Sequence, residues 1–257
     1  VCKIYRVCLF ATLFFFSTAE SVLQAQQQDT LLNLLKEELT REITELKQAP
    51  FPPYYVDYQV SDIEFVRISS SFGSLIQSDH ERSRILKTNV RLGDYQFDNT
   101  HRTEQSGMPD YESYDMGGID GYTLLPLDNN ANAVKFTIWQ STEGAYRAAL
   151  DQYRYIKSPT TKPLTTSVPD FSKEQPSRYF ETPNETLQSS FDKKAWEDQT
   201  RSYSSLFLTN KDLVTGEVLL SAIQQRDYFV SSEGSEVVQN STHFYVYVMG
   251  SIRAIVF

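Results

Sequence analysis

Cysteine is nearly missing from this chain. Its two copies, Cys2 and Cys8, both stand within the first eight residues. The body of the protein therefore has no disulfide framework and no thiolate zinc site. Histidine is as scarce, with His80, His101 and His243 far apart in sequence. No serine lies in a G-x-S-x-G elbow, which leaves a serine-hydrolase reading without support. Only ten glycines occur. "MGGIDG", residues 116–121, lacks the G-x-G-x-x-G order and follows a loop, so a dinucleotide site is unsupported. Basic charge is short as well: the net charge is −9 and the pI about 4.9. That argues against nucleic acid as a partner, since phosphate binding needs a basic surface.

What the chain does have is apolar and aromatic residues. They make up 40 % and 13 % of it, with sixteen Tyr and sixteen Phe. A core is affordable, and the aromatic excess over glycine points to a sheet-rich protein. The first residues read differently. "VCKIYR" is a short basic segment and "VCLFATLFFFSTA" an apolar one, shorter than the roughly 20 residues of a membrane span. With Ala25 before Gln26 as a cleavage point, residues 1–25 read as a secretory signal. No lipid-accepting Cys follows the apolar core. The expected location is exported, periplasmic or extracellular, with no membrane contact after cleavage.

Residues 26–257 then read as one α+β domain. "DTLLNLLKEELTREITELKQ" repeats leucine at three- and four-residue spacing, a helix capped by Asp29 or Thr30 and stopped by "APFPPYY". Three strands are expected next, "YYVDYQV", "EFVRISSSFG" and "RILKTNVRLGDYQF", joined by the polar links "SD" and "SLIQSDHERS". A loop of about 30 residues precedes a second helix, with Val134, Ile138, Trp139, Ala145, Ala149, Leu150 and Tyr153 inward. Residues 158–190, rich in Pro, Thr and Ser, read as an extended linker. A third helix turns Trp196, Tyr203, Leu206 and Phe207 inward. Three more strands follow: "DLVTGEVLLSAIQQ", "RDYFVSSEG" and "NSTHFYVYVMGSIRA". The fold class is thus α+β, mixed or antiparallel sheet units with packed helices. Its halves read as pseudo-repeats of a helix plus three strands. Ser-Ser-x-Gly-Ser recurs at Ser70–Ser74 and Ser231–Ser235, and predicts equivalent turns at Gly73 and Gly234.

The candidate chemistry is thin. "DHER" puts His80 beside Asp79 and Glu81, but Arg84 stands where H-E-x-x-H needs its second histidine. A charged hairpin turn is the expectation. His101 has Asp98 and Glu104 near it and reads as a solvated loop residue, and His243 as a polar residue opening the last strand. Asp110, Glu112, Asp115 and Asp120 could offer oxygen ligands, without the order of a calcium loop. Tyr111, Tyr114 and Tyr122 could stack on sugars or peptides. No catalytic, cofactor-binding or metal residue is assigned. The run Phe244–Met249 is apolar on both alternating faces, so it wants cover on both, or pairing at its edge.

Several stretches taken together resemble one family. "PPYYVDYQVSDIEFVRISSSFGSL" with "RSRILKTNVRLGDYQFDNT", "LPLDNNANAVKFTIWQSTEGAYRAALDQY", "PDFSKEQP", "AWEDQTRSYSSLF" and "YFVSSEGSEVVQNSTHFYVYVMGSIRA" resemble the amino-terminal domain of secreted TldD/PmbA-type proteins. These are the metallopeptidase-related proteins once called modulators of DNA gyrase. The likeness runs from about Leu32 to Ala254. It implies a domain that shapes a substrate cavity and a subunit interface, in homo- or hetero-oligomers. Zinc would belong to a following or partner metallopeptidase domain bearing an H-E-x-x-x-D/H helix. That motif is absent here, so the resemblance implies a chain ending before the catalytic domain and inactive alone, with peptide as the possible substrate. None of the family's metal ligands can be placed on a residue of this sequence. The reading of a different class is a free-standing exported module that binds peptide or glycan through the Tyr111–Tyr122 loop.

Overall fold

The computed structural model describes residues 29–104 and 122–253. The class is α+β. Helix α1 (Thr30–Leu46) is followed by strands β1 (Pro53–Ser71), β2 (Ser74–Leu92) and β3 (Tyr122–Leu124). Helix α2 (Ala131–Ile156) and strand β4 (Arg178–Phe180) come next. Then come a single turn α3 (Leu187–Ser190), helix α4 (Lys193–Ser205) with a 3-10 turn at Leu206–Thr209, and strands β5 (Leu213–Ser231) and β6 (Glu236–Ile252). The sheet has the order β3-β2-β1-β5-β6-β4. β3 runs antiparallel to β2, and β4 parallel to β6. Side-chain bonds Val56–Ser232, Ser61–Asp227 and Ser71–Gly216 climb one strand while descending the other, so β1 and β5 are antiparallel.

Each expected trio of strands is thus built as two long strands. The third strand of each half is the short β3 or β4. The reason lies across the ladder. Ser61 donates to Asp227 at 2.6 Å, and Asp62 accepts both arms of Arg82 at 2.9 and 2.8 Å. "SLIQSDHERS" is not a link either: Ser78 donates to Glu197, and His80 meets Glu64 at 2.7 Å. A polar stretch continues a strand when its polar groups find cross-strand partners. The predicted glycines hold: Gly73 has φ +84° and Gly234 φ +93°, conformations an L side chain resists. The turns differ in build. Phe72 (φ 47°) and Gly73 form a two-residue connection, whereas four residues separate β5 from β6.

The chain divides into two units. The first holds Val1–Ser61, Arg84–Thr182 and Asp227–Gln239. Here α1 packs with α2, and both cover strand segments. Leu31, Leu32, Leu35, Tyr58, Leu86, Val134 and Ile138 lie at the centre of its core. Asp29 caps α1 by accepting from the Leu32 amide at 3.1 Å, and Asn130 caps α2 through Ala133 at 3.1 Å. Val134, Ile138, Thr142, Tyr146 and Ala149 form the inward row of α2. Trp139, expected inward, is exposed beside Phe136, because it sits about 100° round the helix from Ile138.

The second unit holds Asp62–Ser83, Pro183–Arg226 and Asn240–Phe257. Val66, Ile68, Leu187, Leu220 and Ala222 form its small core, with Leu75, Phe191 and Trp196 packed on it. Asp192 caps α4 through the Ala195 amide at 2.9 Å. The inward face of α4 carries Trp196 as expected, and beside it a polar row. Thr200 meets the Ser70 hydroxyl at 3.0 Å, and Ser204 accepts from the Gly73 amide at 3.0 Å. Tyr203 and Leu206 are exposed instead. The Thr200–Ser204 row faces the turn after β1, which leaves Tyr203 and Leu206 to solvent.

Candidate functional site

In the first unit the residues after β2 form a tight turn. Asp94 accepts the amides of Gln96 and Phe97 at 2.8 and 3.0 Å, and Asn99 accepts that of Leu92 at 2.8 Å. This turn delivers Asp98 to a fully buried position. Asp98 Oδ2 accepts from Tyr54 at 2.7 Å and from Arg91 at 2.6 Å. Oδ1 accepts from the amide and hydroxyl of Thr100, both at 2.7 Å. Burial alone would raise this carboxyl, but the Thr100, Tyr54 and Arg91 bonds outweigh it and hold it below the usual range. Burial, then the Asp98 carboxylate, drives the Tyr54 phenol well above its ordinary value.

His101 is buried and not solvated. Its Nε2 faces the Leu164 carbonyl at 2.9 Å, and its Nδ1 faces Asp170 at 2.8 Å. Each ring nitrogen is therefore occupied by an oxygen partner. The Phe97 ring lies 4.2 Å from the imidazole, with the Lys157 ammonium 4.5 Å above Phe97. Neither nitrogen can take a metal without releasing these partners. Glu104, the other expected neighbour, instead approaches Lys162 at 3.6 Å. The cluster is a clasp. Asp170 also accepts the Asp98 amide, the Phe171 amide donates to Tyr95, and Arg91 lies over the Phe171 ring. Part of the Pro/Thr/Ser-rich segment is thereby held down. Sequence spacing could not find Asp170, which is 69 residues from His101.

Three further carboxyls of this unit escaped sequence reasoning. Asp57 is buried on β1 with Asn89 at 2.9 Å and Gln59 at 3.1 Å. Burial raises it against the pull of those bonds. Glu38 and Glu42 are buried on α1, where Arg41 clamps both. Burial pushes Glu42 up to about 7, with Arg41 pulling the other way. A signal did exist: Glu38 and Glu42 continue the Leu31–Leu35 row at three- and four-residue spacing. Two shallow grooves belong to this unit. One of about 320 Å³ lies between α1 residues Lys36, Leu39 and Ile43 and the turn after β5. The other, about 220 Å³, is lined by Gln59, Ser61, Asp227 and Tyr228. Lys36 bridges to Glu236 at 2.7 Å in the first, and Ser61 bonds Asp227 in the second.

In the second unit His80 lies inside β2, not in a turn. Glu64 receives it at Oε1 and also accepts the amides of Leu187 at 2.8 Å and Gln188 at 3.1 Å. Glu64 thereby tethers α3 to β1. His243 lies well within β6, and does not open it. Its ring stacks near Tyr245, which stacks near Tyr247, each at 6.2 Å. Among the described residues no group of three or more His, Cys, Asp or Glu is arranged to hold a metal. Asp110, Glu112, Asp115, Asp120, Tyr111 and Tyr114 lie outside the described residues. Tyr122 is exposed on β3 with Lys87 5.8 Å from its ring.

The feature of this unit that stands apart is apolar. Phe244, Tyr245, Val246, Tyr247, Val248 and Met249 are each between 42 % and 65 % exposed, and Ile252 is exposed too. Successive residues of a strand face opposite ways, so both faces of β6 are open here.

No protein-family model matches the chain, and no curated protein matches it. Solved structures do. A protein described as a modulator of a DNA gyrase from Thermotoga maritima aligns with a TM-score of 0.48 at 12 % identity, over 85 % of this chain and 40 % of that one. TldE from Thermococcus kodakarensis aligns at 0.44 and 15 %, over 86 % and 40 %. A protein described as a modulator of DNA gyrase from Bacteroides thetaiotaomicron aligns at 0.47 and 11 %, over 86 % and 41 %. These structural neighbours are of the TldD/PmbA type. The chain spans about 40 % of the length of the structures it matches.

Proposed function

We propose that this chain is a non-catalytic domain of a TldD/PmbA-like metallopeptidase, corresponding to the amino-terminal part that shapes a substrate cavity and a subunit interface. One observation carries the non-catalytic reading. Among the described residues, two of the three histidines and the buried Asp98 are engaged in internal ties. His101 is held by Asp170 and Leu164, His80 by Glu64, and Asp98 by Tyr54, Arg91 and Thr100. Such residues fasten segments to a sheet. They do not converge on a point where a reacting atom could sit. The family part of the reading rests on the quoted sequence stretches. In it, zinc and its H-E-x-x-x-D/H helix belong to a following or partner domain, and peptide is the substrate class. Export to the periplasm or cell exterior rests on residues 1–25.

The test is a peptidase assay on the purified chain with added zinc, together with elemental analysis after dialysis. The expected result is no zinc-dependent hydrolysis and no stoichiometric zinc. About one zinc per chain, lost in His80→Ala or His101→Ala, would contradict the reading. The alternative, a peptide- or glycan-binding module, leans on exposed Tyr122. Ligand binding abolished by Tyr122→Ala would favour it.

A further inference from the structure

We infer that the seat holding Asp170 and Phe171 is a recognition site for an acid–aromatic pair in an extended polypeptide, and that this chain's own strap fills it as a removable internal ligand. A partner segment with a carboxylate side chain followed by an aromatic one would take the same two places. The inference goes beyond the metallopeptidase reading and does not rest on it.

The strap is thinly held. Residues 164–177 form no helix or strand, and each is exposed except Asp170 and Phe171. Backbone bonds tie the two ends. The Leu164 amide donates to the Arg102 carbonyl at 2.9 Å, and the Glu236 amide to the Ser177 carbonyl at 2.8 Å. Between those ties two consecutive residues carry the docking, with the Lys173 ammonium 5.7 Å from the Tyr95 ring. Adjacent anchors between exposed flanks are how a short linear segment sits on a folded partner. A segment with so little buried contact opens without unfolding the rest.

The seat is chemically selective. The Asp170 carboxylate accepts the Asp98 amide at 2.9 Å and meets His101 Nδ1 at 2.8 Å. The Phe171 amide donates to the Tyr95 carbonyl at 3.1 Å, a main-chain contact open to any residue but proline. The Phe171 ring lies 4.6 Å from that of Tyr55 and 6.2 Å from that of Tyr95, with the Arg91 guanidinium at 4.1 Å. The first place suits an anion. The second suits a flat ring with a cation over its face.

The seat also has a framework of its own. Tyr54, Arg91 and Thr100 fix Asp98, and that carboxylate in turn positions the Arg91 guanidinium. Asp94 and Asn99 close the turn, and the Tyr95 hydroxyl bonds Glu233. None of these bonds uses the strap, so the site is organised before anything enters it. Tethering gives the strap an effective concentration on the order of 1 mM. It therefore shields the site from a weak partner and yields to one that binds better or is presented at higher concentration.

Fluorescence anisotropy on the full chain, with a labelled peptide of residues 164–177 as probe, tests this. The double variant Asp170→Ala, Phe171→Ala vacates the seat. It should bind the peptide about ten-fold or more tightly than the wild type, whose own strap competes. A peptide with Asp and Phe exchanged should not bind. A second readout uses the wild type alone. Peptide at about 1 mM should displace the strap and speed trypsin cleavage after Lys173 several-fold, whether or not the double variant folds. Equal affinity for the wild type and a variant with unchanged near-UV circular dichroism overturns the inference. So does binding that survives the exchange of Asp and Phe, or a Lys173 cleavage rate indifferent to the peptide.

Discussion

The two units treat similar strand sequences in opposite ways. In the first, α1 and α2 cover the strand segments, and the aromatic Tyr58 is fully buried, its hydroxyl satisfied by Thr142 at 2.8 Å. In the second, α4 sets Trp196 on a cluster of five buried apolar residues and bonds Ser70 and the Gly73 amide through Thr200 and Ser204, while the apolar run Phe244–Met249 of β6 stays exposed. A strand sequence therefore says that a segment will pair, and not whether it will be covered. The first unit holds apolar burial that stabilises the fold. The second holds an apolar strand segment that is exposed.

Each unit also fastens an irregular segment to its strands through one carboxylate, and breaking the two should cost differently. Asp98 is fully buried beside Arg91, so Asp98→Ala leaves a cation and a phenol without their acceptor. The expected loss is about 3–5 kcal/mol, read by urea unfolding. Glu64 is partly exposed and water can replace it, so Glu64→Ala should cost about 1–2 kcal/mol. The signs with pH follow. Asp98 is depressed in the fold, so its contribution is present at neutral pH and fades as pH falls through the acid range.

Glu42 works the other way within the first unit. Its folded value of about 7 exceeds the ordinary 4.5 of a glutamate. The native state then binds the extra proton, and stability falls as pH rises from about 4.5 to about 7. Glu42→Gln should stabilise by about 1–3 kcal/mol at pH 8 and by almost nothing at pH 4, measured as a shift in Tm. No change at pH 8 would contradict the burial argument.

The matched turns sharpen the comparison at a smaller scale. At Gly73 an added Cβ would lie 3.3 Å from Ser205 Cβ, whereas at Gly234 the nearest atom is 3.9 Å away. Both demand positive φ. Gly73→Ala should cost about 1–2 kcal/mol and Gly234→Ala about 1. Equal costs would mean that backbone strain alone decides both.

Much of this was legible in sequence. The leucine spacing located α1 with its Asp29 cap, and Ser-Ser-x-Gly-Ser located both left-handed glycines. Strand length was not legible. Residues such as Ser61, Asp62 and His80 look like turn formers until their partners Asp227, Arg82 and Glu64 are known. Those partners are set by register, and local composition does not reveal them. The clasp at His101 was hidden for the same reason, since Asp170 comes from a segment that reads as linker. Glu38 and Glu42 are legible in the sequence, since they continue the leucine row, but a carboxylate on such a row looks like the helix's wet side until Arg41 is seen to clamp it.

The difference between the units is tested most directly by amide hydrogen exchange at two protein concentrations. Amides of Val56–Val60 in the first unit should be protected equally in dilute and concentrated solution. Along Phe244–Met249, alternate amides face β5 and should be protected at both concentrations, whereas the amides between them point to the strand's other edge and should exchange fast when dilute. Protection of those outer-edge amides that is already complete in dilute solution would contradict the account.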